Sequence, residues 1–367
     1  MNVRTLAASL YLLVFLTACD GARQQQSILN PEGPRAESVH GLWLLMLILG
    51  SIVWILVTVA TIVAVVRRRS REDVDQTTEG EDSYGATGEG PSWARSRGNK
   101  AQTLWIVAFA GAIVPAVVIL IVTAVSTIVL RDIDPNEAGD GTVVEVTGHQ
   151  YWWEVRYPGL DVITANEIHI PVGERVELQV NSSDVIHSFW VPELSGKMDM
   201  IPGRSNSIWL EADEPGIYWG QCSEYCGEQH AKMRFVVVAH QPEEFSGWIS
   251  AQRETAEPPT LPTAKTDEPP LVEESEVLAR GREVFMSSSC VYCHAINGTA
   301  AAGEAGPDLT HLASRETLAA GVLPNDRGNL AGWILNPQSI KPGALMPGTD
   351  LDGDELQALL TYLESLE

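Results

Sequence analysis

The sequence predicts a multidomain membrane protein built from a two-helix transmembrane hairpin, an all-β domain and a separate C-terminal domain. Two uninterrupted apolar runs are each long enough to span a bilayer. They are followed by short runs of alternating or β-branched residues, and then by a segment rich in proline and acidic residues. A chain of 367 residues has room for these parts as independent domains.

The charge balance and the cysteines narrow the function classes. With 48 acidic and 24 basic residues, the formal net charge is −24. Such a chain repels nucleic acid and anionic lipid, and it favours a basic protein partner. The 5 cysteines are Cys19, the pair Cys222 and Cys226, and the pair Cys290 and Cys293. This spacing indicates that the cysteines belong to three separate local sites rather than to a disulfide framework.

Residues 1–18 are predicted to be a lipoprotein-type signal peptide. Arg4 precedes an apolar run from Leu6 to Leu16 that is too short to cross a bilayer. The small residues before Cys19 resemble a lipoprotein cleavage site, which predicts lipidation of Cys19 as the mature N-terminus. An ordinary signal peptide with a chance cysteine is the alternative. Both interpretations place the segment 19–41 outside the cytoplasm.

Two transmembrane helices are predicted at residues 42–66 and 103–130. Each run exceeds the roughly 20 residues that a bilayer requires. The loop 67–102 opens with an arginine cluster, which belongs on the cytoplasmic side. The N-terminus and the C-terminal domains therefore face the periplasmic side of a bacterial inner membrane. Neither run contains a charged residue, so a proton path through these helices alone is not expected.

Residues 141–250 are predicted to form an antiparallel β sandwich or barrel. Turn-forming pairs such as Pro158-Gly159 and Pro215-Gly216 separate the strands at the expected spacing. The seven predicted strands are 143–146, 153–157, 168–172, 175–180, 207–210, 217–220 and 235–238.

One loop of this β domain concentrates soft metal ligands. Cys222, Cys226, His230 and Met233 fall within twelve positions, and His187 supplies a second imidazole from another loop. Soft sulfur ligands with imidazole favour copper. Two thiols four residues apart can bridge a pair of copper ions, with one histidine for each ion.

Two other interpretations of this loop remain open. A zinc site uses the same donor types, but its usual spacing pairs a C-x2–4-C knuckle with an H-x3–5-H pair. A disulfide between Cys222 and Cys226 suits an oxidising compartment. It leaves His187, His230 and Met233 without a role.

The segment 251–271 predicts an extended linker, and residues 272–367 form the last domain. This domain contains C-x-x-C-H at Cys290, Cys293 and His294, the attachment motif of covalent haem c, with the histidine as proximal ligand. Met346 is the preferred sixth ligand, because a methionine–histidine pair raises the haem potential. His311 is the alternative ligand, and a surface histidine is its simplest explanation.

Three sequence blocks resemble subunit II of haem-copper cytochrome c oxidases. They are G-H-Q-Y-W-W-E at 148–154, D-V-I-H-S-F-W-V-P-E-L at 184–194 with K-M-D-M-I-P-G-R at 197–204, and G-Q-C-S-E-Y-C-G-E-Q-H-A-K-M at 220–233. The resemblance covers roughly residues 27–250. The tail resembles a class I cytochrome c, and the combination looks like the caa-type oxidases. It implies an all-β cupredoxin domain, a Greek-key sandwich, followed by an all-α class I cytochrome c domain.

The same resemblance implies a dinuclear copper A centre and a magnesium ion. The implied copper ligands are His187, Cys222, the backbone carbonyl of Glu224, Cys226, His230 and Met233. The side chain of Glu224 would reach the magnesium ion at the border with subunit I.

At two positions the chain departs from the family pattern. Many members place an electron-receiving tryptophan after G-H-Q, where this chain has Tyr151 followed by Trp152 and Trp153. These three aromatic residues are the candidate electron route. Gln102 stands where many members carry a glutamate linked to proton uptake, so that role is not transferred.

The resemblance implies the electron-input subunit of a respiratory terminal oxidase. Electrons would pass from a soluble cytochrome c or a cytochrome bc complex, through haem c and copper A, to subunit I. There oxygen is reduced to water with coupled proton translocation. Tethering raises the effective concentration of the haem domain, so a weak docking surface suffices.

Two alternative functions differ in class. One is the electron-input subunit of a related nitric oxide reductase. The other is a membrane-tethered copper chaperone, since such proteins also use C-x3-C with a distant histidine. Those chaperones are thioredoxin-like and need βαβ segments, whereas residues 141–239 predict strands without helices.

Overall fold

The computed structural model describes residues 25–78, 100–134, 141–255 and 272–367. The predicted signal peptide 1–18 and the lipidation site Cys19 lie outside the described residues. So do most of the predicted linker 251–271 and the middle of the loop 67–102. The chain divides into two units, one formed by Ser38–Asp134 and the other by the described residues before and after it.

The first unit contains the apolar helices. Helix α1 runs over Pro34–Thr78, α2 over Lys100–Ala108 and α3 over Val114–Asp132, with a π turn at Phe109–Ile113. The stretches Pro34–Arg67 and Leu104–Asp132 are long and apolar enough to cross a membrane. Because Pro115 cannot donate a backbone hydrogen bond, the helix widens into the π turn immediately before it.

Between residues 141 and 255, all of which are described, ten strands form two five-stranded sheets. Their order is β3-β2-β1-β5-β8 in one sheet and β4-β10-β9-β6-β7 in the other. The bounds are β1 Val143–His149, β2 Trp152–Tyr157, β3 Val162–Ala165, β4 Glu167–Pro171, β5 Val176–Ser182, β6 His187–Trp190, β7 Met198–Met200, β8 Asn206–Leu210, β9 Gly216–Cys222 and β10 Arg234–His240. Helix α4, Pro242–Gln252, follows the last strand.

The core of this sandwich forms because alternate residues of each strand point inward. Every second residue of β1 and β2 is buried, as period-two patterning predicts. Trp153, Phe189 and Phe235 meet at the centre, with ring centroids 4.6–6.3 Å apart. Gly220 makes room for them, since a Cβ there would lie 2.2 Å from the Phe235 ring.

A short N-terminal segment extends the β domain. The backbone N–H of Glu32 donates to the carbonyl of Glu193 at 2.7 Å, and the carbonyl of Glu32 accepts from Asp213 at 3.0 Å. The buried guanidinium of Arg35 lies over the Trp209 ring, 5.1 Å from its centroid. The start of α1 is therefore attached to the sandwich.

The C-terminal domain is helical apart from one short strand pair. Its elements are α5 Val272–Ser287, β11 Thr317–Leu318, β12 Leu323–Pro324, α6 Arg327–Leu335, α7 Pro337–Ile340 and α8 Gly353–Glu364. Helices α5 and α8 cross closely, since a Cβ on Gly281 would lie 2.0 Å from the carbonyl oxygen of Ala358. Helix α8 buries Leu359, Leu360 and Leu363 in the core of this domain.

The β domain and the C-terminal domain contact each other through backbone and buried polar groups. The N–H of Arg234 on β10 donates to the carbonyl of Ala320 at 3.0 Å. The buried carboxylate of Glu167 accepts from the N–H groups of Glu316 at 2.8 Å and Thr317 at 3.1 Å. Specific hydrogen bonds therefore join the two domains.

Candidate metal and haem centres

The soft-ligand loop lies between two paired strands. Strand β9 ends at Cys222 and β10 begins directly after Met233, so the loop hangs from one end of the sandwich. Strand β6 pairs with β9 and places Phe189 opposite Cys222. Because His187 opens β6, its imidazole reaches the same end as the loop. Sheet pairing thus brings together ligands that are distant in sequence.

The predicted donors converge around the two cysteine sulfurs. The Sγ atoms of Cys222 and Cys226 are 3.8 Å apart, and both cysteines are free and buried. The Nδ1 of His187 lies 3.9 Å from the Cys222 sulfur, and the Nδ1 of His230 lies 3.8 Å from the Cys226 sulfur. The Sδ of Met233 is 3.8 Å from the Cys226 sulfur. The carbonyl oxygen of Glu224 is 3.2 Å from the Cys222 sulfur.

This donor set fits a copper pair. Two thiols, two imidazoles, a thioether and a carbonyl supply soft and intermediate ligands, which favour copper. The thiols are free rather than joined in a disulfide, so both are available as ligands. Each thiol has its own histidine, which is the arrangement that a bridged pair of ions requires.

The two thiols do not ionise alike. Hydrogen bonding from Cys226 holds the pKa of the Cys222 thiol far below its ordinary value against the opposing effect of burial, and His187 adds to the decrease. The same interaction with Cys222 raises the pKa of Cys226, and burial raises it further. Since the thiolate is the metal-binding form, Cys222 is prepared for a cation before any ion arrives.

A carboxylate orients His187. Its Nε2 lies 2.8 Å from Asp184 Oδ1, which leaves Nδ1 directed at the Cys222 sulfur. Burial lowers the pKa of His187, but the hydrogen bonds that its ring donates to Cys222 and Asp184 outweigh this effect, so the pKa is raised. Such a partner fixes the tautomer of a metal-ligating histidine. Asp184 was not among the predicted site residues, although its place three residues before His187 was a usable signal.

Gly148 makes space for the same imidazole. A Cβ at Gly148 would lie 2.9 Å from Cδ2 of His187, closer than side chains tolerate. Gly148 belongs to the quoted block at 148–154, but its role required the fold. Trp153 is fully buried beside this histidine, with ring centroids 6.1 Å apart.

The C-x-x-C-H motif lines a mostly apolar cavity in the C-terminal domain. The motif follows α5 in a 3-10 turn at Ser289–Tyr292. Met346 lines the same cavity from the loop after α7. Among the other lining residues are Pro307, Leu309, Leu318, Leu330, Trp333 and Ile334. Two thiols, an imidazole and a thioether in an apolar cavity fit a covalently attached haem.

His294 is prepared to act as a ligand. Its Nδ1 lies 2.7 Å from the carbonyl oxygen of Pro307, so Nδ1–H donates there and Nε2 is left for the iron. Burial lowers the pKa of His294, against the opposing effect of that hydrogen bond, and favours the neutral, ligating imidazole. Gly306 packs against the ring, since a Cβ there would lie 2.8 Å from Cε1.

The simplest explanation of His311, a histidine at the protein surface, is wrong. His311 is buried, with Nδ1 2.6 Å from the carbonyl of Glu367 and Nε2 3.1 Å from the carbonyl of Gln252. Both ring nitrogens therefore contact backbone oxygens. These contacts secure the C-terminus, and they favour Met346 as the sixth haem ligand.

The haem cavity and the copper loop share one wall. Gln150, Tyr151 and Trp152 of the β domain line the cavity of the C-terminal domain. The Gln150 side chain donates to the carbonyl of Cys226 at 2.7 Å. The Tyr151 hydroxyl accepts from the N–H of Glu228 at 3.1 Å. Two of the three predicted route residues thus line the cavity, whereas Trp153 points into the sandwich core.

The carboxylate of Glu224 is directed away from the copper donors. It is half-exposed and lies 3.6 Å from Nζ of Lys197. The same ammonium lies 3.6 Å from Asp199. Glu224 therefore presents its carbonyl to the cysteine pair and its carboxylate to the surface.

Comparisons with known proteins identify both domains. The family model "Cytochrome C oxidase subunit II, periplasmic domain" matches residues 160–240, and the model "Cytochrome c" matches residues 278–367. Cytochrome c oxidase subunit 2 of Alkalihalophilus pseudofirmus is 36% identical over 362 residues, which cover 97% of this chain and 95% of that protein. The protein of the same name from Bacillus sp. (strain PS3) is 31% identical over 73% of this chain and 75% of its own length.

Among solved structures, the periplasmic domain of subunit II of cytochrome oxidase from Bradyrhizobium japonicum is 32% identical. The match covers 30% of this chain and 92% of that domain, with a TM-score of 0.30. The two regions matched by the family models lie within the β sandwich and the helical C-terminal domain, which confirms the predicted fold class. The chain therefore belongs to the cytochrome c oxidase subunit II family, in the form that carries a fused cytochrome c domain.

Proposed function

We infer that the chain is the electron-input subunit of a respiratory haem-copper oxidase, whose catalytic site lies on subunit I. When bound, haem c and copper A each take up and release single electrons, so no substrate bond is made or broken on this chain. The observation that carries this inference is the wall shared by the haem cavity and the copper loop. A subunit that passes electrons between two centres needs such a junction.

The side chains that hold the cofactors are part of this proposal. Cys290 and Cys293 attach the haem, while His294 and Met346 are its axial ligands. All four line one cavity. The copper A ligands are His187, Cys222, the carbonyl of Glu224, Cys226, His230 and Met233. The support for this set is that its members converge. The two cysteine sulfurs are 3.8 Å apart, and each of the other four donors lies 3.2–3.9 Å from one of them.

Tyr151 and Trp152 form the proposed route between the centres. Tyr151 contacts the copper loop through its hydroxyl and is one of the residues that line the haem cavity. Trp152 stacks on His149, with centroids 4.3 Å apart, beside the cavity. Trp153 has a packing role in the core and also abuts His187.

A magnesium ion at the Glu224 carboxylate, shared with subunit I, is a further part of the proposal. Oxygen ligands suit magnesium, and it is usually held by one or two carboxylates. The support is the exposure of the Glu224 carboxylate on the far side of the copper ligand loop, with Asp199 nearby.

We place the chain in a bacterial inner membrane, with its N-terminus and both folded domains on the periplasmic side. The support is the pair of apolar helices and the arginine cluster between them. A soluble cytochrome c or a cytochrome bc complex is the proposed donor. The net charge of −24 favours a basic donor surface.

The decisive experiment removes residues 272–367 from the intact oxidase. We expect copper A to assemble and to pass electrons onward after direct photoreduction, while oxidation of the natural donor slows at least about tenfold because the tethered carrier is lost. Full-length His294→Ala, which keeps both attachment cysteines, is the matched variant and should slow the same step.

Donor oxidation at the normal rate in the truncated complex would contradict the proposal. The gas consumed separates the two oxidoreductase functions: oxygen uptake is expected here, and nitric oxide consumption would indicate the reductase instead. The chaperone alternative does not fit, because the copper loop belongs to a β sandwich rather than to a thioredoxin-like fold.

A further inference from the structure

Lys341 occupies an unusual position for a lysine. It directly follows α7 and begins the loop that leads to Met346. Its side chain is only 2% exposed. Its Nζ donates to the carbonyl of Ala319 at 3.0 Å and to the carbonyl of Tyr151 at 3.0 Å. The first acceptor belongs to the C-terminal domain, which is the haem domain. The second belongs to the β domain, which is the copper domain, so Lys341 bridges the two domains.

Because the amine of Lys341 is buried, it needs hydrogen-bond acceptors within the protein. A buried amine is costly unless its N–H groups find acceptors, and in the described part of the chain both hydrogen-bond acceptors of Lys341 are carbonyls. Burial lowers the pKa of Lys341 to about 7. Both the charged and the neutral amine retain two N–H donors, so the bridge does not depend on the protonation state.

The backbone around Lys341 lies against the copper ligand loop. The Gln229 side chain donates to the carbonyl of Pro342, and Nζ of Lys232 donates to the carbonyl of Ile340. Gly343 approaches so closely that a Cβ there would lie 2.5 Å from a carboxylate oxygen of Glu228. The segment that supplies Met346 therefore touches the segment that supplies His230.

Tyr151 is held at both ends by these two segments. Its hydroxyl accepts from the N–H of Glu228 in the copper loop, and its carbonyl accepts from Lys341 in the haem domain. Tyr151 is also one of the residues that line the haem cavity. A close fit at Gly227, where a Cβ would lie 2.5 Å from the tyrosine hydroxyl oxygen, limits its movement further.

We propose that Lys341 is a positioning residue for electron transfer from haem c to copper A: it fastens the Met346 loop to the Tyr151 backbone and keeps the two centres at a fixed separation. The inference rests on the proposed function and adds a residue that binds neither cofactor. Lys341 acts through Tyr151 and Ala319, because those are the groups that its amine contacts.

The test uses the complete oxidase with Lys341→Met, which keeps a long side chain and removes the N–H donors. Haem c is reduced by a photoexcited ruthenium complex, and reduction of copper A is followed optically. We expect this step to slow at least about tenfold, because small displacements of reacting groups have large effects on rate. Lys341→Arg, which restores two N–H donors, should recover most of the rate.

Two controls separate positioning from damage. Arg280→Met removes an exposed guanidinium that donates to Glu283 and Glu355 within the haem domain, and it should change the rate by less than about twofold. In every variant, the haem c and copper A spectra and the transfer from directly photoreduced copper A to subunit I should remain normal.

A Lys341→Met oxidase that reduces copper A at the normal rate overturns this inference and leaves the proposed function intact. If the unmutated oxidase shows no electron transfer from photoreduced haem c to copper A, the proposed function is overturned instead. If Lys341→Met does not assemble, Lys341→Gln decides, since its shorter side chain cannot reach both carbonyls. It should slow the same step, and a normal rate in it also overturns the inference.

Discussion

At the scale of single residues, the proposed haem ligand His294 depends on two neighbours in space. The carbonyl of Pro307 accepts from Nδ1, and Gly306 lies flat against the ring. A side chain at position 306 would occupy the place of the imidazole. The ligand and its support thus come from two segments that are about a dozen residues apart.

We predict that Gly306→Ala disturbs haem ligation without preventing covalent attachment. The added methyl would lie 2.8 Å from Cε1 of His294 and must displace the ring. A lower potential and a weakened methionine–histidine spectrum are expected, measured by redox titration and optical spectroscopy of haem c. Gly332→Ala is the control, because nothing lies within 4 Å of its Cβ position. An unchanged haem in Gly306→Ala would refute the packing argument.

The sequence could predict the metal-binding side chains but not their supports. Cysteine, histidine and methionine at short spacing are rare enough to indicate metal chemistry on their own. Gly148 and Lys341 are common residue types whose roles arise only from tertiary neighbours. No local pattern marks such a residue, because its partner lies up to 190 positions away.

At the scale of elements, the parallel pair β4 and β10 carries two histidines in contact. His169 Nδ1 and His240 Nε2 are 2.7 Å apart, and Trp248 of α4 stacks on His169 with centroids 3.9 Å apart. Burial lowers the pKa of both histidines, and their mutual repulsion lowers that of His240 further. Glu167 and Glu244 oppose these decreases.

We predict a pH-dependent stability of the β domain from this pair. The folded state keeps both rings neutral below the ordinary histidine pKa of about 6.5, whereas the unfolded chain binds protons there. Stability is therefore fully present above about pH 6.5 and declines as the pH falls below it. Thermal loss of the copper A absorption, measured between about pH 5 and 7.5, should show this slope.

His169→Gln and His240→Gln should each flatten the slope, and the double variant should flatten it further, because burial lowers the pKa of each ring. Glu174→Gln, an exposed change elsewhere in the β domain, is the control and should keep it. A slope that survives in the double histidine variant would assign the pH dependence to other groups.

Most strands were predictable because alternation is a local signal. The seven predicted strands correspond to β1, β2, β4, β5, β8, β9 and β10. Strands β3, β6 and β7 have only four, four and three residues, too few for a period-two pattern to emerge. The π turn before Pro115 likewise has no sequence signal beyond the proline itself.

At the scale of the whole molecule, Glu167 joins the copper and haem domains. Its carboxylate is 2% exposed and accepts from two consecutive N–H groups of the haem domain. Composition predicted the division into two domains through the linker. The docked arrangement was not predictable, because the residues that form it are spread over the β domain and the C-terminal domain.

We predict that Glu167→Ala loosens this docking. The N–H groups of Glu316 and Thr317 would lose their acceptor, at a cost of about 1–3 kcal/mol for the buried N–H of Thr317. Amide hydrogen exchange, measured by mass spectrometry on a peptide that contains residues 316–317, should become faster. Glu174→Ala, an exposed carboxylate of the same domain, should leave that exchange unchanged. Normal protection in Glu167→Ala would show that the contact contributes little to docking.

The contact between residues 340–343 and the copper loop also determines the reaction order of electron transfer from haem c to copper A. Since the two surfaces already touch within one chain, electron transfer across them needs no diffusional encounter. The step is therefore first order, and diluting the oxidase does not slow it. A free cytochrome in the surrounding solution cannot compete for a surface that the chain's own haem domain covers.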